Sequence, residues 1–277
     1  MGLRINTNVM SLGAQRALQK NNRNLNNNLR KLSSGERITR AADDAAGLAI
    51  SEKLKSSIRS IRQAKRNADD GVSLIQTAEG GLSEVSNIII RLRELAIQAA
   101  SDTVGNTERG FSDIEFQQLK EEIQRISKSA EFNGKKLLDG TSGIMDIQVG
   151  IQNNPFNDRL TYDGTELNST LETLGLTGET VSTKEGAQLS LTKLDDALVK
   201  VNGFRANLGA LQNRLTSVSD NLGVTEENYS EANSRIRDVD VAAETAKLTK
   251  NQILTQAGTS VLAQANQAPN FALKLLG

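Results

Sequence analysis

Residues 54–99 read LKSSIRSIRQAKRNADDGVSLIQTAEGGLSEVSNIIIRLRELAIQA. Apolar side chains recur in it at Leu54, Ile58, Ile61, Ala64, Ala68, Val72, Ile75, Ala78, Leu82, Val85, Ile89, Leu92, Ala96 and Ala99. That is thirteen steps over 45 residues, close to 3.5 residues per step. This period keeps one stripe of a helix facing a partner for many turns, so it specifies helices that wind along other helices. The spacing returns from Leu194 to Val239, through Leu198, Val201, Phe204, Leu208, Leu211, Leu215, Val218, Leu222, Thr225, Tyr229, Ala232 and Ile236. Between the seams the pattern breaks. The expectation is a mainly α chain: a long coiled-coil-like helical rod in two halves, joined by something small and non-helical.

Outward from the first seam, Asp43 and Asp44 supply N-cap and dipole-compatible residues for a helix ending near Ser101. Such a helix spans roughly 90 Å at 1.5 Å per residue. Gly80-Gly81 lies inside it, costing about 1 kcal/mol each relative to Ala and permitting a bend or a close backbone approach. Val104-Gly105-Asn106-Thr107 reads as a turn, and Ser112 with Glu115 as a capping box opening the next helix, which Asn133-Gly134 ends. Residues 3–32 carry a thin apolar stripe interrupted by Asn21-Asn22-Arg23-Asn24-Leu25-Asn26-Asn27-Asn28. Asparagine competes for backbone hydrogen bonds, so this helix is marginal alone; it is either a frayed end or a segment that orders against neighbours. In the middle, Ile147, Val149 and Ile151 alternate with polar or small residues, Asn153–Asp158 is turn-forming, and Leu160 and Tyr162 alternate again, which predicts a β-hairpin over 144–163. Residues 163–186 read as a loop or short linker. A last apolar tract (Ala246, Ile253, Ala257, Val261, Leu262) carries a helix towards Gln267, with Pro269 ending it.

Composition removes whole classes of chemistry. Of 277 residues 33 are basic and 33 acidic, so no global field favours nucleic acid or an anionic membrane. Aromatics are 3% and Trp is absent, which suits a Leu/Ile/Val/Ala rod better than a ring-filled globular core. Cys and His are both absent, excluding disulfides, thiolate sites and imidazole acid–base chemistry. Carboxylates sit beside Arg or Lys at helical spacing, as in Arg235–Asp240, which is ion pairing on a helix face rather than a catalytic set. The Arg59, Arg62, Lys65, Arg66 cluster lacks aromatics for base stacking and is followed by Asp69-Asp70, so it reads as a solvated face. Apolar runs such as Ile88-Ile89-Ile90 fall far short of the ~20 residues that cross a bilayer. No secretory leader stands at the start, and Asn6 breaks the myristoylation pattern, so a secreted form would use another route. No enzyme, cofactor or metal site is expected.

Several long motifs then resemble one family. LRKLSSGERITRAADDAAGLAISEKLKSSIRS at 29–60, with Ile5-Asn6-Thr7-Asn8, is similar to the N-terminal signature of bacterial flagellins. SVLAQANQAPNFALKLLG at 260–277 resembles the flagellin C-terminus, and Glu131-Phe132-Asn133-Gly134 and Ile147-Gln148-Val149-Gly150 resemble the approach to that family's β-hairpin. The match covers about 1–176 and 187–277. Only about Thr177–Thr183 stands where many flagellins insert large variable domains, so this looks like a minimal form. The resemblance implies two parts: residues 1–42 and 236–277 as paired terminal helices of the filament's inner tube, and 43–235 as an outer helical domain with the hairpin. It implies a homopolymeric flagellar filament for motility, secreted to the cell exterior. Its partners would be the flagellar type III export apparatus, an export chaperone, and the filament cap and junction proteins. The hook–filament junction protein of the same family is one alternative, and a monomeric coiled-coil adaptor, from a different class, is another.

Two groups of site residues follow from the resemblance. Arg91, Leu95 and Glu115 match positions by which a vertebrate Toll-like receptor contacts many flagellins. Their plainer readings are a solvated charge, a flank of the seam and the third helical position of the capping box, with receptor contact a by-product of a surface that packs between subunits. Leu273, Leu275 and Leu276 match terminal leucines that engage inflammasome sensors and inner-tube neighbours, and the plainer reading is an apolar end that packs in the assembly.

Overall fold

The computed structural model describes residues 7–274, with side chains up to residue 267. Six helices and two small antiparallel strand pairs make up the described chain, so the mainly α expectation with a small hairpin holds. The residues divide into two compact units: one holds the chain up to Ile58 and from Asn228 onward, the other is Arg59–Glu227.

The second unit is built on α2 (Ala45–Ala100) and α5 (Lys184–Arg237), whose outer turns belong to the first unit. Helix α2 starts where the acidic pair predicts, with Asp44 Oδ1 accepting from the Gly47 amide at 2.8 Å. The helices run antiparallel, and the register is read from polar contacts. Arg62 pairs with Glu226 at 2.6 Å, Ser219 Oγ donates to Asp69 at 3.0 Å, Arg205 meets Glu79 at 2.7 Å, Arg93 meets Asp195 at 2.7 Å and Lys184 meets Asp102 at 2.8 Å. From first rung to last, the advance from Arg62 to Asp102 along α2 is matched by a near-equal retreat from Glu226 to Lys184 along α5. Between these rungs the seams are buried: Ile75, Leu82, Ile89 and Leu92 of α2 with Leu194, Val201, Leu208 and Leu215 of α5. Burial on the second seam thins beyond Ser219, and α5 stops at Arg237, so Val239 falls outside the helix.

Helix α3 (Asn106–Ser129) adds Phe116 and Ile123 to this core. It begins six residues before the expected capping box. Ser112 is already helical and its hydroxyl donates to the Glu108 carbonyl at 3.2 Å, while Glu115 turns to Arg91. The start is fixed by Arg109, a buried guanidinium that donates to the carbonyls of Ala99 and Ser101 and to Asn106 Oδ1, each at 2.8 Å. A cation at the C-terminus of α2 is also favoured by the helix dipole. After α3, Asn133 (φ 49°) and Gly134 (φ 76°) form the two-residue turn of a hairpin between β1 (Glu131–Phe132) and β2 (Lys135–Lys136). Asn-Gly suits a turn with two positive φ values.

The expected 144–163 hairpin is present as β3 (Ile144–Gln148) and β4 (Arg159–Asp163), paired Met145↔Tyr162 and Ile147↔Leu160 on the inward face. Tyr162 is fully buried and its hydroxyl donates to the Leu137 carbonyl at 2.8 Å; burial pushes its pKa upward. Residues 163–186, expected as a linker, hold a single-turn helix α4 (Leu171–Leu174), and Leu167, Leu174, Leu176 and Val181 are buried in the core. Too few apolar residues stand there to show a period, yet each is packed.

The first unit centres on α1 (Val9–Ser34) and α6 (Val241–Lys274). Helix α6 continues through Pro269 instead of ending there. A proline in a helix leaves the carbonyl four residues back without its N–H partner; here that carbonyl, of Ala265, accepts from Asn8 Nδ2 at 2.7 Å.

Candidate functional site

In the first unit α1 and α6 lie antiparallel, held by side-chain amides. Asn8 reaches Ala265, Ser11 Oγ donates to Asn266 Oδ1 at 2.7 Å, and Asn21 Nδ2 donates to the Asn251 carbonyl at 2.9 Å and Thr255 Oγ1 at 3.0 Å. Gly258 admits Leu18 closely, since a Cβ there would stand 3.0 Å from Leu18 Cδ1. The amide-rich stretch that weakens α1 as an isolated helix is thus placed on a helix that pairs partly through amides. Apolar cover is thin. On α1 only Ser11 and Asn28 are buried, while Val9, Met10, Leu12 and Leu29, and on α6 Val241, Ile253, Leu254 and Val261, are exposed.

A backbone clasp sits at one end of this pair. The Arg37 amide donates to the Arg237 carbonyl at 2.6 Å and the Val239 amide to the Gly35 carbonyl at 3.0 Å, flanking a Glu36↔Asp238 bridge. Gly35 stands at φ 72°, the left-handed conformation that terminates α1. Arg237 locks the clasp, pairing with Glu52 and with Glu36 at 2.9 Å, and these carboxylates raise its pKa.

In the second unit Arg91 and Glu115 come together at 2.9 Å, with Glu94 3.0 Å from the same guanidinium; the hydrogen bonds that Arg91 donates to Glu94 and then to Glu115 raise its pKa. Leu95 is not beside them on the surface. It is 2% exposed and packs in the core cluster. On the same two helices Ile90, Ile97, Phe111 and Ile114 are exposed, four apolar side chains that lie off the seams. Leu275 and Leu276 lie outside the described residues, and Leu273 falls in the last turn of α6, where the backbone alone is described.

Among the described residues no group of three or more His, Cys, Asp or Glu could hold a metal, and no helix is long and apolar enough to cross a membrane. The chemistry on offer is packing, ion pairing and amide recognition.

Comparison with known proteins agrees with that. Residues 5–143 match the bacterial flagellin N-terminal helical region and residues 191–276 the bacterial flagellin C-terminal helical region. The chain belongs to the bacterial flagellin family. A flagellin of Halalkalibacterium halodurans is 44% identical over 98% of this chain and 99% of its own length. The flagellar filament 30.7 kDa core protein of Treponema maltophilum is 42% identical over 98% of this chain and 99% of its own. A crystal structure of Bacillus cereus flagellin is 34% identical, with a TM-score of 0.50, over 57% of this chain and 88% of that one. Flagellin is a structural family, so this flagellin is not an enzyme.

Proposed function

We propose that this flagellin is a structural subunit that polymerises into the bacterial flagellar filament outside the cell. The observation that carries the reading is the α1–α6 pair, which leaves apolar side chains such as Met10 (71% exposed) and Ile253 (60% exposed) uncovered while Asn8 and Asn21 are matched within the chain. A pair with so little internal cover gains most of its stability by packing against further copies, and binding of that kind offsets ordering entropy at the moment of assembly. In a filament the contact is heterologous: the same two surfaces meet repeatedly through a rotation and rise that never closes.

In this reading residues 1–42 and 236–277 supply the helices that pack between subunits, and 43–235 the outer helical domain. Leu273, Leu275 and Leu276 are, in the same proposal, terminal assembly residues. Export through the flagellar type III apparatus with a chaperone, contact with the cap and junction proteins, and recognition by a vertebrate Toll-like receptor through the Arg91–Glu115 surface belong to the same proposal. Leu95 would then support that surface from beneath.

Seeded growth followed by electron microscopy tests the reading. Purified chain elongates filament seeds without limit, and chains lacking residues 1–30 or 248–277 stay soluble and do not grow. Growth that stops at a ring or short cap points to a junction protein, and a chain that stays monomeric or closed-dimeric at every concentration points to an adaptor; either result overturns the proposal.

A further inference from the structure

We infer that Asn8 and Pro269 are a matched pair that sets the register of α1 on α6. In a helix interior the amide of residue i donates to the carbonyl of residue i−4. Position 269 has no N–H to give, so the Ala265 carbonyl loses its helical donor. Asn8 fills the gap with Nδ2 at 2.7 Å, while its Oδ1 accepts from the Ser11 amide at 3.0 Å as the N-cap of α1. One side-chain amide therefore does two things at once: its oxygen starts one helix and its nitrogen reads a carbonyl on the other.

The reading is position-specific. The chain has two prolines, and the other, Pro155, lies in the hairpin loop, so the interior of α6 contains a single carbonyl stripped in this way. A slip of α1 by one turn would set Asn8 against a carbonyl already bonded and leave that of Ala265 without a donor. Leaving a polar group unmatched costs more than a hydrogen bond gains, so the mismatch penalises every other register. Ser11 Oγ on Asn266 Oδ1, at 2.7 Å, sits beside this contact and holds the same alignment. The proline that sequence patterning marks as a helix end is in this account an acceptor-maker for the opposite helix.

The inference rests on α1–α6 pairing as an assembly element, and the test separates the two. Four full-length chains are compared: the parent, Asn8→Ser, Pro269→Ala and the double variant. Serine keeps an N-capping oxygen but lacks the amide donor. In the Pro269 background Asn8→Ser raises the critical concentration for seeded growth about tenfold, the order expected for one lost hydrogen bond with its acceptor stranded. In the Pro269→Ala background the restored N–H at position 269 takes the Ala265 carbonyl, and the same change shifts it less than about twofold. A role limited to capping predicts equal effects in both backgrounds, and that equality, or no effect in either, overturns the pairing. Should the parent itself fail to elongate, the filament reading falls, and the lock is read instead by thiol crosslinking. With Asn21→Cys and Thr255→Cys added to each of the four chains, these are the only thiols present, because the sequence has no cysteine. A crosslink yield that drops with Asn8→Ser only where Pro269 is present supports the lock; a yield unchanged across all four sinks it.

Discussion

Gly80 and Gly81 are adjacent in the interior of α2, yet the same substitution acts on them in opposite directions. A Cβ at Gly80 meets nothing within 4 Å, whereas one at Gly81 would stand 2.7 Å from Leu138 Cδ1 and 3.6 Å from Ala130 Cβ. Both helical glycines gain about 1 kcal/mol of helix preference on conversion to alanine. For Gly80→Ala nothing opposes that gain, so stability rises by about 1 kcal/mol, or roughly 2–4 °C in Tm for a domain of this size. At Gly81 the new methyl must displace Leu138, which is fully buried and whose carbonyl is held by Ser127 Oγ at 2.8 Å and the Ser169 amide at 2.9 Å. Overpacking of this kind costs about 1–3 kcal/mol, so Gly81→Ala lies below Gly80→Ala by that amount. Leu138→Ala, which alone costs about 2–5 kcal/mol through its cavity, costs less in the Gly81→Ala background because the added methyl occupies part of the space. Thermal unfolding followed by circular dichroism at 222 nm measures all of these variants. Equal shifts for the two single glycine variants, or additive behaviour with Leu138→Ala, would refute the argument that Gly81 is there for close approach.

Arg109→Ala strands the Ala99 carbonyl, takes one of two donors from that of Ser101, and should cost about 2–4 kcal/mol in chemical denaturation, with Arg109→Lys recovering only part because a single ammonium cannot reproduce the fork. The Asp43 carboxylate is held below its ordinary 3.8, first by the Thr39 hydroxyl and also by the Thr39 and Arg40 amides. Its contribution is therefore fully present above 3.8 and is lost as pH falls through the lowered value, so the stability gap between the parent and Asp43→Asn should close in acid titrations and persist at neutral pH. The Arg91→Ala, Glu115→Ala double variant removes an exposed ion pair that contributes little to stability, so folding survives, while signalling by the monomer in Toll-like receptor reporter cells should fall about tenfold or more. Undiminished signalling would remove those residues from the receptor contact.

Long periods survived the passage from sequence to structure more fully than short motifs did. The Leu54–Ala99 seam is one face of α2 and is buried along most of its length, because a repeat sustained over so many turns has no other physical use. The 144–163 hairpin was legible for the same reason in a two-residue period. Ser112-x-x-Glu115 fits a capping box, but four residues cannot report that Arg109 has already opened the helix upstream. Leu167, Leu174, Leu176 and Val181 are too sparse to show a period, and their burial depends on partners distant in sequence. At the candidate site the Arg91–Glu115 pair joins two helices and needed three dimensions; the position of Leu95 among its own neighbours did not, since it flanks a seam.

Among the described residues, the side-chain hydrogen bonds that pair the terminal helices span the greatest separations in sequence. Asn8 and Ala265 are 257 residues apart, against 164 for Arg62 and Glu226 at the end of the α2–α5 ladder. A chain made or delivered from its N-terminus presents α1 first, yet α1 has no α6 to lie on until nearly every residue has followed. The ladder of the second unit can close earlier, and contacts of greater separation form later because more of the chain must first be ordered. A chain cut short of α6 therefore leaves α1 without the helix that its amides are matched to.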